Sequence, residues 1–249
     1  MTNVRRLDAE TASTSLAASL LAATTLAVAF RRQHWWRWGA TIGAVSGLFA
    51  GRLRAYDWRT ARGRLAFVLD HTWALTTTGA GVVVAAANQV LGSPIEHSLT
   101  TRQNRVVFER GLAVRPGFAL SVGYVVSGAA DRQGRVTPRR QRLVTDHEDV
   151  HIWQARRWGP LYPVFYGAWL ASGAVVGLWR WRKSGRSSAM AQVDAAAYYS
   201  NPFEWRAYTE DRNWPPAGVD PALVWSRPYS PAALTAIVRE WRGSREGQR

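Results

Sequence analysis

The sequence predicts a mostly α-helical chain with a small β-sheet, an α+β arrangement in which transmembrane-length helices near the N-terminus precede a metal-binding domain. Three observations carry this expectation. Apolar runs recur through residues 1–92, a β-branched and aromatic segment follows at 105–126, and His147-Glu148-Asp149-Val150-His151 sets two histidines four residues apart. That spacing is about one helical turn, so both imidazoles project from one face of a helix. Residues 1–92 are expected to anchor the chain in a membrane. Residues 93–215 are expected to form the metal domain, including an apolar segment at 161–181, and 216–249 a tail.

The first apolar stretch, Ser13 to Phe30, barely reaches the ~20 residues of a membrane span and stops at an Arg- and Trp-rich run from Arg31 to Trp38. Arg5 and Arg6 suit a signal peptide, but Asp8, Glu10 and the arginines that follow favour a retained anchor. Trp35 to Gly51 carries Gly39, Ala40, Gly43, Ala44 and Gly47, small residues that let two helices approach closely, so the first two stretches are expected to form a helical hairpin. Leu65 to Leu91 is long enough to span with tilt, and its Asp70-His71 pair is expected at the level of the head groups.

Arg105 to Val114 and Phe118 to Val126 read as two strands joined by a turn at Arg115-Pro116-Gly117. A sheet at this place offers an edge to an extended peptide. The histidine helix is expected to start near Thr145 and to close at Gly159-Pro160. Leu161 to Trp181 is a further apolar stretch. A helix over Met190 to Tyr199 and a short amphipathic helix over Pro231 to Trp241 complete the chain.

His147 and His151 on one helical turn, with Glu148 beside the remaining coordination position, form the H-E-x-x-H arrangement of zinc hydrolases, in which the glutamate is the general base. With no cysteine in the chain, Zn2+ would be held by nitrogen and oxygen ligands alone. Gln154, three residues beyond His151 on the same face, suits a hydrogen bond that orients a ligand imidazole. A competing structural reading takes Thr145-Asp146-His147-Glu148 as a capping box, which would engage Glu148 with the backbone.

The run His147 to Gln154 followed by Gly159-Pro160-Leu161-Tyr162 resembles a group of uncharacterised bacterial zincin-like proteins that share H-E-x-x-H-x-x-Q and then G-P-L-Y. Asn201-Pro202-Phe203-Glu204 with Ala207-Tyr208 resembles their downstream acidic block. The likeness covers roughly Gly117 to Tyr208. It implies a gluzincin-type site with Glu204 as third zinc ligand and metallopeptidase activity. Asp194, Glu210 and Asp211 are rival carboxylates. If 161–181 crossed a bilayer once, His147 and Glu204 would lie on opposite sides, so this segment is expected not to cross.

The net charge is +15, carried almost wholly by arginine, Lys183 being the sole lysine. Arginines that flank apolar segments beside tryptophans read as membrane-edge residues facing anionic lipids, in preference to a nucleic-acid surface. The expected function is a membrane-associated zinc hydrolase acting on a peptide or protein substrate. The alternative is a catalytically inactive zincin-like scaffold. The five arginines between Arg52 and Arg64 favour a cytoplasmic link, the Arg31–Arg37 cluster opposes it, and the side on which the metal domain faces stays open.

Overall fold

The computed structural model describes residues 8–31, 34–113, 117–184 and 188–246. It is mostly helical with one small mixed sheet, as the sequence predicts, and falls into two compact units, Met1–Pro163 and Val164–Arg249.

In the first unit, helix α1 (Ala9–Phe30) starts at Asp8, whose carboxylate accepts from the Thr11 amide at 2.7 Å. Helix α2 (Trp35–Arg52) returns antiparallel to it. The expected hairpin forms for the expected reason. A Cβ on Gly43 would stand 2.3 Å from the Ala18 carbonyl oxygen. The close approach lets Ser15 donate to the Ala44 carbonyl at 2.9 Å and Ser19 to Ala40 at 3.1 Å.

The apolar stretch 65–91 is not one helix. Helix α3 (Ala61–His71) and helix α4 (Leu75–Val90) are separated at Thr72-Trp73-Ala74, where Trp73 Nε1 donates to the Arg157 carbonyl at 3.1 Å. Among the described residues, two helices are long and apolar enough to cross a membrane, Ala9–Phe30 and Leu161–Lys183.

Asp70 and His71 lie in the protein interior and not at a head-group surface. Asp70 accepts a bidentate pair from Arg156, Nε at 2.9 Å and Nη2 at 2.8 Å, and a third bond from the Tyr56 hydroxyl at 2.8 Å. Arg156 Nη2 also reaches the Asn104 carbonyl at 2.5 Å. His71 Nδ1 is 2.8 Å from the Phe67 carbonyl, which can only accept, so the ring carries its proton there. Its Nε2 lies 3.1 Å from Ser46 Oγ, itself 3.1 Å from the Tyr124 hydroxyl. Burial holds the His71 pKa below the usual histidine range, opposed by the Asp70 carboxylate.

The sheet differs from the expected pair of strands. Strands β1 (Val106–Phe108), β2 (Leu120–Val122) and β3 (Val125–Ser127) stand in the order β1-β3-β2, with β1 parallel to β3 and β2 antiparallel to it. The expected second strand is itself a hairpin, because Gly123 adopts φ 57° and turns the chain with Tyr124. Of the expected turn, Arg115 and Pro116 lie outside the described residues. The outer edge of β1 is closed by Ile95, which bridges to Phe108. β2 is the strand at the other edge of the sheet, and it lies against the histidine helix.

The histidine helix begins before Thr145. Helix α5 (His97–Thr100) is a single turn, after which helix α6 (Pro138–Arg142) opens with Thr137 as cap and Pro138 in the first turn. It runs without a break through a π-helical segment, Leu143–Glu148, into helix α7 (Asp149–Trp158). Gly159 ends it at φ 52°, packed so tightly on Trp73 that a Cβ would meet the indole at 2.5 Å. Helix α8 (Leu161–Ser184) follows and continues into the second unit.

In the second unit, helix α9 (Ala189–Val193), a π-helical segment (Asp194–Tyr199) and helix α10 (Pro202–Glu210) retrace α8 in the opposite direction. Gly177 meets Gln192 and Val193, Gly173 meets Ala196 and Ala197, and Trp169 Nε1 donates to the Ala196 carbonyl at 3.3 Å. Trp205, fully buried, roots α10 among Trp214, Trp225 and Tyr229 and donates to the Arg227 carbonyl at 2.9 Å. Trp205 is thus the buried centre of an aromatic cluster in which Trp214 and Trp225 are half-buried. Helix α11 (Pro231–Glu246) ends the described chain and extends beyond the expected Trp241.

Replacing Asp70 by Ala leaves Arg156 charged and buried, so Asp70→Ala is expected to lower stability by about 3–5 kcal/mol in chemical denaturation. The depressed His71 pKa contributes stability that is fully present above the unfolded-state value of about 6.5 and is lost as pH falls toward the folded value. In His71→Gln the corresponding part of the acid limb of a stability-versus-pH curve is expected to flatten.

Candidate metal centre

His147 sits in the last turn of the π-helical segment and His151 in the first turn of α7, both buried. Their Nε2 atoms face each other at 3.3 Å, with ring centroids 5.0 Å apart and planes at 74°. Two ligands at zinc–nitrogen distances of ~2.0–2.1 Å in a tetrahedron stand about 3.3–3.4 Å apart. The observed pair has that separation. His151 Nδ1 is 2.9 Å from Gln154 Oε1, an acceptor that places the ring proton on Nδ1. The Tyr162 hydroxyl stands 3.3 Å from the same Nδ1.

Glu148 is buried beside the histidines. The capping-box reading fails because its backbone lies within a continuous helix. That helix is capped upstream by Thr137, whose hydroxyl accepts from the Arg140 amide at 3.3 Å. Thr145 donates its hydroxyl proton to Asp146 Oδ1 at 2.8 Å. The Glu148 carboxylate exerts an attraction on Arg140, against the burial that lowers the arginine's pKa. Arg140 in turn clasps the carbonyls of Gly117 (2.8 Å), Ala129 (3.3 Å) and Gly128.

Helix α7 is held from behind by charged partners. Asp149 accepts from Arg105 at 2.7 Å and from Arg62 at 3.1 Å, and Trp153 lies under the guanidiniums of Arg62 (4.6 Å) and Arg156 (4.8 Å).

In the second unit, Glu204 occupies the first turn of α10, whose start is set by Asn201, with Oδ1 accepting from the Phe203 amide at 3.0 Å, and by Pro202. The Tyr166 hydroxyl donates to Glu204 Oε1 at 2.6 Å. Tyr198 has its pKa raised, first by burial and then by the Glu204 carboxylate and the neighbouring Tyr208.

His147, His151 and Glu204 are buried and offer ligand atoms that all lie within 4.8 Å of one another, so this group can hold a metal ion. Asp194, Glu210 and Asp211 are not part of the group. Two imidazoles and a carboxylate form a borderline donor set that suits zinc and other divalent transition metals and leaves coordination positions open. Sequence reasoning missed Arg140 and Tyr166. Nothing local marks Arg140, whereas Tyr166 follows Tyr162 by one turn on α8 and could have been read from that spacing.

No protein-family model, curated protein or solved structure matches the chain. The likeness to zincin-like proteins therefore stands on the motif and on the donor geometry alone.

Because Gln154 fixes the tautomer of His151, Gln154→Ala is expected to weaken metal affinity about 10- to 100-fold. Competition against a chelator of known affinity measures this, and an unchanged affinity would separate Gln154 from the ligand imidazole.

Proposed function

We propose that the protein is a membrane-associated, zinc-dependent hydrolase of the metallopeptidase type, with His147, His151 and Glu204 as ligands and Glu148 as general base. The observation that carries this reading is the buried group His147, His151 and Glu204, whose ligand atoms lie within 4.8 Å of one another, with a second carboxylate, Glu148, on the turn between the histidines. When bound, zinc would supply a Lewis acid that polarises a substrate carbonyl and favours ionisation of water. Glu148 takes the proton of the attacking water and returns it to the leaving amine.

An extended peptide fits along β2. The opposite edge of the sheet is closed by Ile95, while β2 is an edge strand and lies against α7. Membrane association is supported by the two helices of sufficient length and apolar character, and by exposed Trp35, Trp36 and Trp38 beside Arg37.

The deep burial of all three ligands and of Glu148 favours a second reading, an inactive zincin-like scaffold in which the metal is structural.

Elemental analysis and peptide turnover together test the two. His147→Ala and His151→Ala are expected to lose the metal. Glu148→Gln is expected to keep it while hydrolysis of a peptide library falls at least about 100-fold, within the usual contribution of general-base catalysis. Hydrolysis by Glu148→Gln at the wild-type rate would overturn the mechanism. Stoichiometric zinc without turnover in the wild type would select the scaffold.

A further inference from the structure

We propose that a groove along α8 in the second unit is a binding site for an anionic phospholipid, independent of the metal centre. The groove has a volume of about 450 Å³, within the ~300–1,000 Å³ range of small-molecule sites. Trp169, Gly173, Val176 and Arg180 line it from α8, with Ser200 and Trp225 opposite. The α8 residues recur at intervals of four, three and four, so they form one face of the helix.

The chemistry of the lining is graded. Trp169 and Trp225 both direct their indole N–H to backbone carbonyls, of Ala196 at 3.3 Å and Ser200 at 2.8 Å. With those donors engaged, the rings offer mainly apolar surface to the groove. Gly173 lets the opposite wall close in, since a Cβ there would meet Ala197 Cα at 2.5 Å. Among the described residues, Arg180 is the only charged one in the lining and none there is acidic. Arg182 and Lys183 follow it, with Lys183 lying over the Trp179 ring at 4.6 Å.

Length and charge identify the occupant. From Trp169 to Arg180 the helix rises ~16 Å at 1.5 Å per residue, close to the ~15 Å of one leaflet of a ~30 Å hydrocarbon core. Helix α8 is one of the two described helices able to cross a membrane. Its tryptophan- and cation-rich end has the composition of a head-group interface. An acyl chain matches the apolar walls and an anionic head group matches Arg180. A soluble phosphate would leave the walls unused.

The test uses the full chain in lipid nanodiscs with phosphatidylglycerol or phosphatidylcholine bearing a photoreactive group on the acyl chain, and mass spectrometry to map labelled peptides. Phosphatidylglycerol is expected to label 169–180 or 222–225 in preference to phosphatidylcholine, and glycerol phosphate in solution is expected not to compete. Arg180→Gln should lower that labelling about fivefold, the effect of one arginine near an anionic surface, and Arg180→Lys should restore it. Val176→Trp, which fills the groove, should abolish it. Zinc content should stay unchanged in all three variants, which separates this test from that of the metal centre. Equal labelling by the two lipids, competition by glycerol phosphate, or labelling confined to other segments would overturn the proposal.

Discussion

The bidentate pairing of Arg156 with Asp70 is the constraint on which the first unit depends. Both groups are almost completely withdrawn from solvent, and such a pair persists only when its remaining hydrogen-bonding capacity is largely met. Here Tyr56 and the Asn104 carbonyl supply most of what is missing. The pair joins α3 to α7, so it fixes the rotation of α7 about its own axis. A change of one residue in that rotation turns each side chain by ~100°, and the two imidazoles, carried on one continuous helix, would turn away together. Asp149, held by Arg62 and Arg105, and Trp153, covered by two guanidiniums, act in the same sense. The arginine richness that first suggests a lipid or nucleic-acid surface is thus partly spent inside the protein, on orienting one helix.

A π-helical segment precedes the ligands in each unit considered separately. Leu143–Glu148 carries His147 and Glu148, and Asp194–Tyr199 stands one turn before the helix that carries Glu204. The wider turn shifts the direction in which side chains leave the axis, and such segments collect at functional sites. No residue pattern announces either segment. The Thr145-to-Glu148 spacing fits a capping box and the real helix start at Thr137-Pro138 fits another cap. Only the continuity of the backbone through Arg142 and Leu143 decides between them.

What was legible in the sequence is local. The four-residue histidine spacing, the reach of Gln154 to His151 and the small-residue stripe of α2 each depend on the geometry of one or two helices, and each is met. What was not legible is what depends on partners far along the chain. Asp70 reads as interfacial until Arg156, 86 residues later, is placed beside it. The parallel pairing of β1 with β3 requires β2 to enter the sheet at its other edge, which alternation within a strand cannot reveal. Trp205, Trp214 and Trp225 carry the same composition signal as Trp35, Trp36 and Trp38, yet the first three pack ring against ring around the buried Trp205 while the last three are exposed.

Within the second unit the chain returns along the apolar segment at 161–181 before it reaches Glu204. Helix α8 extends away from Tyr166, and α9, the π-helical segment and α10 retrace it, so that Tyr166 and Glu204 meet at the same end of α8. The return limb needs only close approach, which Gly173 and Gly177 permit, and a fixed stop, which Asn201 and Pro202 provide. Glu204 therefore reaches the second turn of α8 whether or not the far end of that helix enters lipid. A candidate metal ligand and a cation-rich helix end then lie at opposite ends of one hairpin. Tyr166 and Glu204 occupy its base, while Arg180, Arg182 and Lys183 occupy the far end, ~21 Å away along the helix from Tyr166 to Arg180. Positive charge is thus gathered at one end of the hairpin and the candidate ligand at the other.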